Sequence, residues 1–278
     1  MTGRNSPSYY KLLKSVLFLS AIFALCIRNA AAHDFWVLPH NSLSQQNDDV
    51  FFELRIGPGW PGKQTPRLAG LIATFDAWDN LGKMKVEGHD GALVIGHLKT
   101  RTPGTTIAAL TTNGAKITLP ADEFEEYLQD EGLQKISQQR HDNDESSQPG
   151  SELFFRCAKA LIFVDNQSTG FDKVLGLERE LVPMTEPLHY IPGTPFTVKL
   201  LSSSKPLQGI QIKAELNTTP PTVLRAVTDA EGLVKFILPS KGEWLFSAVD
   251  METSPIDDAD WKSVWASLTL PITEDAQK

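Results

Sequence analysis

Short apolar runs, closely punctuated by glycine, proline, asparagine and aspartate, constrain this chain more than any other feature. Val50, Phe52, Leu54 and Ile56 alternate with Phe51, Glu53 and Arg55, the period-two signature of a strand with one buried face. Gly57-Pro58-Gly59 and Pro61-Gly62 stop it. Further runs at 71–78, 93–98, 107–110 and 116–119 are bounded in the same way. A series of short strands at this spacing predicts stacked antiparallel sheets.

The second half repeats the pattern more regularly. Phe196, Val198 and Leu200 alternate, as do Ile210, Ile212, Ala214 and Leu216, with Lys205–Gly209 as the turn between them. Thr222–Thr228 reads as another strand, Asp229-Ala230-Glu231-Gly232 as a hairpin turn, and Val234, Phe236 and Leu238 as one face of the next strand. Trp244–Val249 and Ser263–Leu270 complete the set. The fold expected is mainly β: two β-sandwich domains, 33–182 and 183–278. The second is immunoglobulin-like or transthyretin-like, and the first carries a short helical insertion near 122–132. Asp122 with Glu125 has capping-box spacing, Phe124, Tyr127 and Leu128 share a face, and Gly132 is the stop. The stretch 141–151 reads as an exposed polar loop, and 152–164 as a helical turn running into a strand.

The N-terminus reads as an export signal. Arg4, Lys11 and Lys14 precede an apolar stretch at 15–27, and Ala30 and Ala32 have the A-x-A spacing of a cleavage site. Cleavage after Ala32 predicts a periplasmic or secreted protein beginning at His33. Its 246 residues carry 22 basic and 34 acidic side chains, a net charge of −12. Such a charge disfavours nucleic acid and suits cationic partners. No later segment has the roughly 20 apolar residues of a transmembrane helix. Cys157 is the one cysteine left after cleavage, and its apolar neighbours predict burial.

An N-terminal histidine supplies two nitrogen donors, its amine and its imidazole, which suit Ni²⁺, Co²⁺ or Cu²⁺. His89, in a His-Asp-Gly turn, and His97, at a strand end, are further candidate ligands. Asp34 offers oxygen, but strand alternation points it away from a His33 imidazole. No His-Glu-x-x-His, Cys-x-x-Cys, P-loop, dinucleotide fingerprint or Gly-x-Ser-x-Gly elbow is present, so an enzyme is not expected. Asp257-Asp258-Ala259-Asp260 reads as a solvated turn and lacks calcium-loop spacing. Trp60, Trp244, Trp261 and Trp265 are sugar-stacking candidates, although Trp244 and Trp265 fall in core strands.

Several motifs occur in an ordered set. His33-Asp34-Phe35-Trp36 opens it, followed by Glu126-Tyr127-Leu128 with Glu131-Gly132-Leu133, Arg156–Leu161, and Gly176-Leu177-Glu178 with Leu181-Val182-Pro183. Lys205–Gly209, Thr228-Asp229 with Gly232, Gly242–Leu245 and Asp258–Thr269 complete it. Together they resemble a bacterial exported domain-of-unknown-function family labelled as a nickel-uptake, substrate-specific component. The resemblance spans the whole chain after residue 32. It implies capture of nickel or cobalt beside an inner-membrane transporter, His33 as the first residue, and a histidine after the Gly-x-Trp strand, from which this chain departs with Asp250, an oxygen donor. Two other readings stay open: a metal-free envelope module recognising a protein or glycan, and a copper histidine-brace protein.

Overall fold

The computed structural model describes residues 33–273, so the expected leader, 1–32, lies outside the described residues. From Asp34 onward the described residues form one compact unit. Its centre is β10 (Gly150–Val164), whose parallel neighbour is β18 (Trp261–Ile272), paired from Glu152–Trp261 to Ala160–Thr269. Around this pair runs a ten-stranded sheet. On the β18 side follow β17 (Gly242–Thr253), β14 (Gln211–Leu216) and the edge strand β15 (Thr222–Val227). On the other side follow β8 (Gly104–Thr112), β5 (Ile72–Asp79) and β6 (Gly82–Lys85). Two short strands, β2 (Leu43–Ser44) and β9 (Ala115–Leu119), also pair with β10.

Two smaller sheets pack on this large one and make two sandwiches. In the first, β1 (Asp34–Pro39), β3 (Asp49–Gly57), β4 (Lys63–Thr65) and β7 (Val94–Lys99) bury Phe35, Val37, Phe52 and Leu54 against Ala158, Ala160 and Ile162 of β10. In the second, β11 (Arg179–Pro183), β12 (Pro195–Ser202), β13 (Lys205–Pro206) and β16 (Leu233–Ile237) enclose Phe196, Val198 and Leu200 with Ile212, Phe246 and Leu268. Leu161 and Phe163 of β10 belong to this second core. Successive residues of β10 thus serve opposite cores, and each fully buried Phe or Leu contributes about 1.5–3 kcal/mol. The fold is mainly β with a helical insertion in the first half, as the sequence indicates. The chain boundary expected at 182/183 falls inside β11, and the two sandwiches share the large sheet through β10 and β18.

Three local expectations change. Residues 152–164 contain no helical turn, because β10 is extended throughout. The stretch expected as a loop at 141–151 includes the end of a second helix: α1 (Ala121–Asp130) is followed by α2 (Gln134–Asp142). Asp122 does not cap α1. Pro120 occupies that position without a side-chain bond, and Glu125 instead accepts from Arg140 Nε at 2.7 Å and Ser137 Oγ at 2.9 Å. Gly132, at φ +73°, does end the helical segment, and Cys157 is buried. No helix among the described residues is long and apolar enough to cross a membrane.

Candidate functional site

The alternation of β14 decides where charge goes. Ile212, Ala214 and Leu216 face the second core, which turns Lys213 and Glu215 to the opposite face of the sheet. That face is roofed by the start of β1 and by the loop after β3, so both side chains are nearly enclosed. Lys213 Nζ pairs with Asp34 Oδ2, lies 3.1 Å from Glu215 Oε1 and donates to the Pro58 carbonyl at 3.2 Å. Glu215 also accepts the Trp60 main-chain N–H at 3.1 Å, while the Trp60 indole donates to the Glu215 carbonyl at 3.2 Å. Trp36 meets Trp60 edge-on, with ring centroids 5.4 Å apart.

This close approach requires a glycine. Gly59 sits at φ +140°, and a Cβ there would come within 2.0 Å of Glu215 Oε2. Trp60 and Lys213 hold that carboxylate, so it has little room to retreat. Gly59→Ala therefore lowers stability by about 2–3 kcal/mol, read as a shift in the urea midpoint.

A third acid completes the group. Burial, and after it the charge of Asp34, pushes Glu131, just beyond α1, up to about 8, against the opposing pull of Lys213. Glu131 is therefore mostly protonated at neutral pH. Burial disfavours the Lys213 ammonium, yet the charges of Asp34, Glu131 and Glu215 more than offset this and hold it above its ordinary value. Three carboxyl groups thus face one ammonium. Asp34 is 1% exposed, and its Oδ1 has no hydrogen-bond partner.

A second polar layer adjoins it. Glu152 is buried and accepts from Tyr127 Oη at 3.2 Å and from Ser263 Oγ. Burial raises its carboxyl, while these bonds and Arg156 oppose the rise. Burial lowers Arg156 to about 10, so it remains a cation at neutral pH, and its guanidinium lies over the rings of Phe154 at 4.6 Å and Phe35 at 5.1 Å. Tyr127 stacks on Trp265. Burial and then the charge of Glu152 raise its hydroxyl well above the usual phenol value.

The residues named from sequence are distributed differently. His33 is the first described residue and immediately precedes Asp34. His97 is exposed on β7, its ring stacked on Phe51 at 6.0 Å. His89 is exposed in a turn in which its carbonyl accepts the Ala92 N–H at 3.3 Å. Asp250, on β17, is taken by Arg179, whose Nε and Nη2 donate to Oδ2 at 2.9 and 2.6 Å. His97 and Asp250 belong to different sheets. Among the described residues no group of three His, Cys, Asp or Glu side chains is placed to hold a metal ion. Trp60, Trp244, Trp261 and Trp265 are all buried and present no stacking platform. Lys213, Glu215 and Glu131 were not named as site residues. Alternation marked the first two as facing away from the apolar side of β14, but nothing local announced the roof over them.

The family model for a domain of unknown function, DUF4198, matches residues 30–252. The chain belongs to this family. Its description carries no activity, and no curated protein matches the chain. Three solved structures are similar over most of it. The D0–D1 domain of intimin is 13% identical, with a TM-score of 0.20 over 85% of this chain and 97% of that one. A tetra-tandem repeat from the extending region of a large adhesion protein is 9% identical, with a TM-score of 0.19 over 86% of this chain and 49% of that one. Escherichia coli alpha-2-macroglobulin activated by porcine elastase is 11% identical, with a TM-score of 0.22 over 88% of this chain and 24% of that one.

Proposed function

We propose that this DUF4198 protein is an exported, periplasmic accessory protein that captures a divalent cation and hands it to an inner-membrane uptake system, without enzymatic activity of its own. The observation that carries this reading is the charge imbalance at the start of β1: the carboxylates of Asp34 and Glu215 against the single ammonium of Lys213, beside a mostly protonated Glu131, with Asp34 Oδ1 buried and unpartnered. Such a pocket favours a further positive charge. His33 precedes Asp34 in the sequence and lies before β1 begins, so strand alternation does not fix its imidazole; its amine and imidazole are the nitrogen donors of this reading. Ni²⁺ and Co²⁺ are the cargo the family resemblance implies, and Cu²⁺ suits the same donors. His89, His97 and Asp250 are not part of this ligand set: the first two lie exposed, and the third is committed to Arg179.

The test is a calorimetric titration of the protein processed to begin at His33. Ni²⁺ or Co²⁺ is expected to bind with micromolar affinity, at least tenfold more weakly to His33→Ala, and with little change in His89→Ala or His97→Ala. Equal binding by the parent protein and His33→Ala would overturn the assignment.

A further inference from the structure

Helix α2 is polar on almost every side. Of Gln134–Asp142 only Ile136 and Arg140 are buried. A helix without an apolar stripe needs another anchor, and Arg140 provides it. Its Nε donates to Glu125, its Nη2 donates to the carbonyls of Glu145 at 2.9 Å and Gln148 at 2.7 Å, and the guanidinium lies 4.8 Å from the Phe124 ring centroid. The cationic charge of Arg140 is thus neutralised inside the fold, and the helix turns carboxamides outward. One side of it borders a cavity of about 420 Å³, closed by the turn between β17 and β18. The other side borders a second cavity of about 300 Å³, lined by Gln129, Gln134 and Gln138.

We infer that the larger cavity binds a saccharide free of acidic groups. Gln139 and Asn143 each bring a donor and an acceptor to its wall, and Thr253 brings a hydroxyl that accepts from Gln139 Nε2 at 3.3 Å, whereas the Ser254 hydroxyl is taken by the main chain of Ile256. Glu145 and Asp257 accept, which matches the hydroxyl donors of a sugar. The second observation is Trp261. It lines the cavity, is 3% exposed, and its indole N–H has no hydrogen-bond partner. A donor left unmade costs about 1–3 kcal/mol; the N–H is screened from solvent, so a sugar oxygen recovers this only by displacing the wall over it. Phosphate, sulfate and uronate groups are disfavoured, because the one basic side chain on the wall is already paired and three acids face them. The volume lies within the roughly 300–1,000 Å³ of small-molecule sites. This site stands apart from the cation pocket and does not depend on that reading.

The experiment follows the assigned Trp261 indole resonance in ¹⁵N-labelled protein while N-acetylglucosamine disaccharide or maltose is added. A saturable shift with a Kd of about 0.1–1 mM is expected for at least one of them. It should weaken tenfold or more in a Gln139→Ala/Asp257→Ala double variant whose thermal midpoint is unchanged, since both side chains are exposed. The absence of a saturable shift with both sugars, or a shift that persists in the double variant, overturns the proposal. So does a shift seen with spermidine alone and lost in Asp257→Asn, which would make this an organic-cation site.

Discussion

Lys213→Met lowers the unfolding free energy by about 3–5 kcal/mol, the scale of loss when one member of a buried ion pair is removed. The variant leaves Asp34 and Glu215, 1% and 2% exposed, with no ammonium between them. Urea denaturation at pH 7 measures this, and a loss below about 1 kcal/mol would mean that water already screens the pair. The same pocket gives the protein a pH profile. Glu131 titrates near 8 in the folded chain, against an ordinary value of 4.5. Between those values the native state holds a proton that the unfolded chain has released. Its stabilising effect is therefore complete below about 4.5 and is lost as pH rises through about 8. Glu131→Gln removes this slope. Since Glu131 is only partly enclosed, the gain over the parent at pH 9 is about 2 kcal/mol rather than the full value of its shift.

Glu180→Gln costs a similar amount, about 3–5 kcal/mol. Glu180 Oε1 lies 2.8 Å from Lys159 Nζ, with the two side chains 0% and 1% exposed. Burial already lowers the Lys159 ammonium, although the charge of Glu180 opposes this. Without that charge the burial of the ammonium is left unopposed. Glu180 also accepts the main-chain N–H groups of Leu175 and Gly176 at 2.8 Å and of Leu177 at 3.3 Å, so it pins the segment that leads into β11. Replacing both partners by apolar residues therefore recovers only part of the loss, because those three donors stay unsatisfied. Faster hydrogen exchange at Leu175 and Gly176 is the local readout. Unchanged exchange would show that the segment is held by other contacts.

Strands with one buried face were legible from sequence alone. β16 alternates throughout, and β3 and β12 over most of their length, because one side meets a core and the other does not; in β14 the residue types alternate although both faces are buried. β10 was not legible as a whole, since both of its faces are buried from Cys157 to Val164. A continuous apolar run has no period to read. Helix α2 lacks the apolar stripe by which helices are recognised, and the contact that holds it, Arg140 to Glu125, spans 15 residues. The site was half legible. His33 and Asp34 stand out because a cleavage motif precedes them. The partners of Asp34 lie nearly 180 residues away on β14, where alternating charged residues usually mark a solvated face. Only the roof formed by β1 and Trp60 turns Lys213 and Glu215 inward. Asp250 was named for its place after the Gly-x-Trp strand, but Arg179, from another sheet, already occupies it.

The most direct test of the cation reading counts protons. Ni²⁺ binding to the protein beginning at His33 is measured by calorimetry at pH 7 in two buffers of different ionisation enthalpy, and again for Glu131→Gln. A cation next to Asp34 pulls the proton from Glu131, since an opposite charge within about 4–6 Å lowers a carboxyl by 1–3 pKa units. The parent protein should therefore release about 0.4 to 0.9 proton more than the variant. Equal proton release from the two would contradict a cation site at the start of β1.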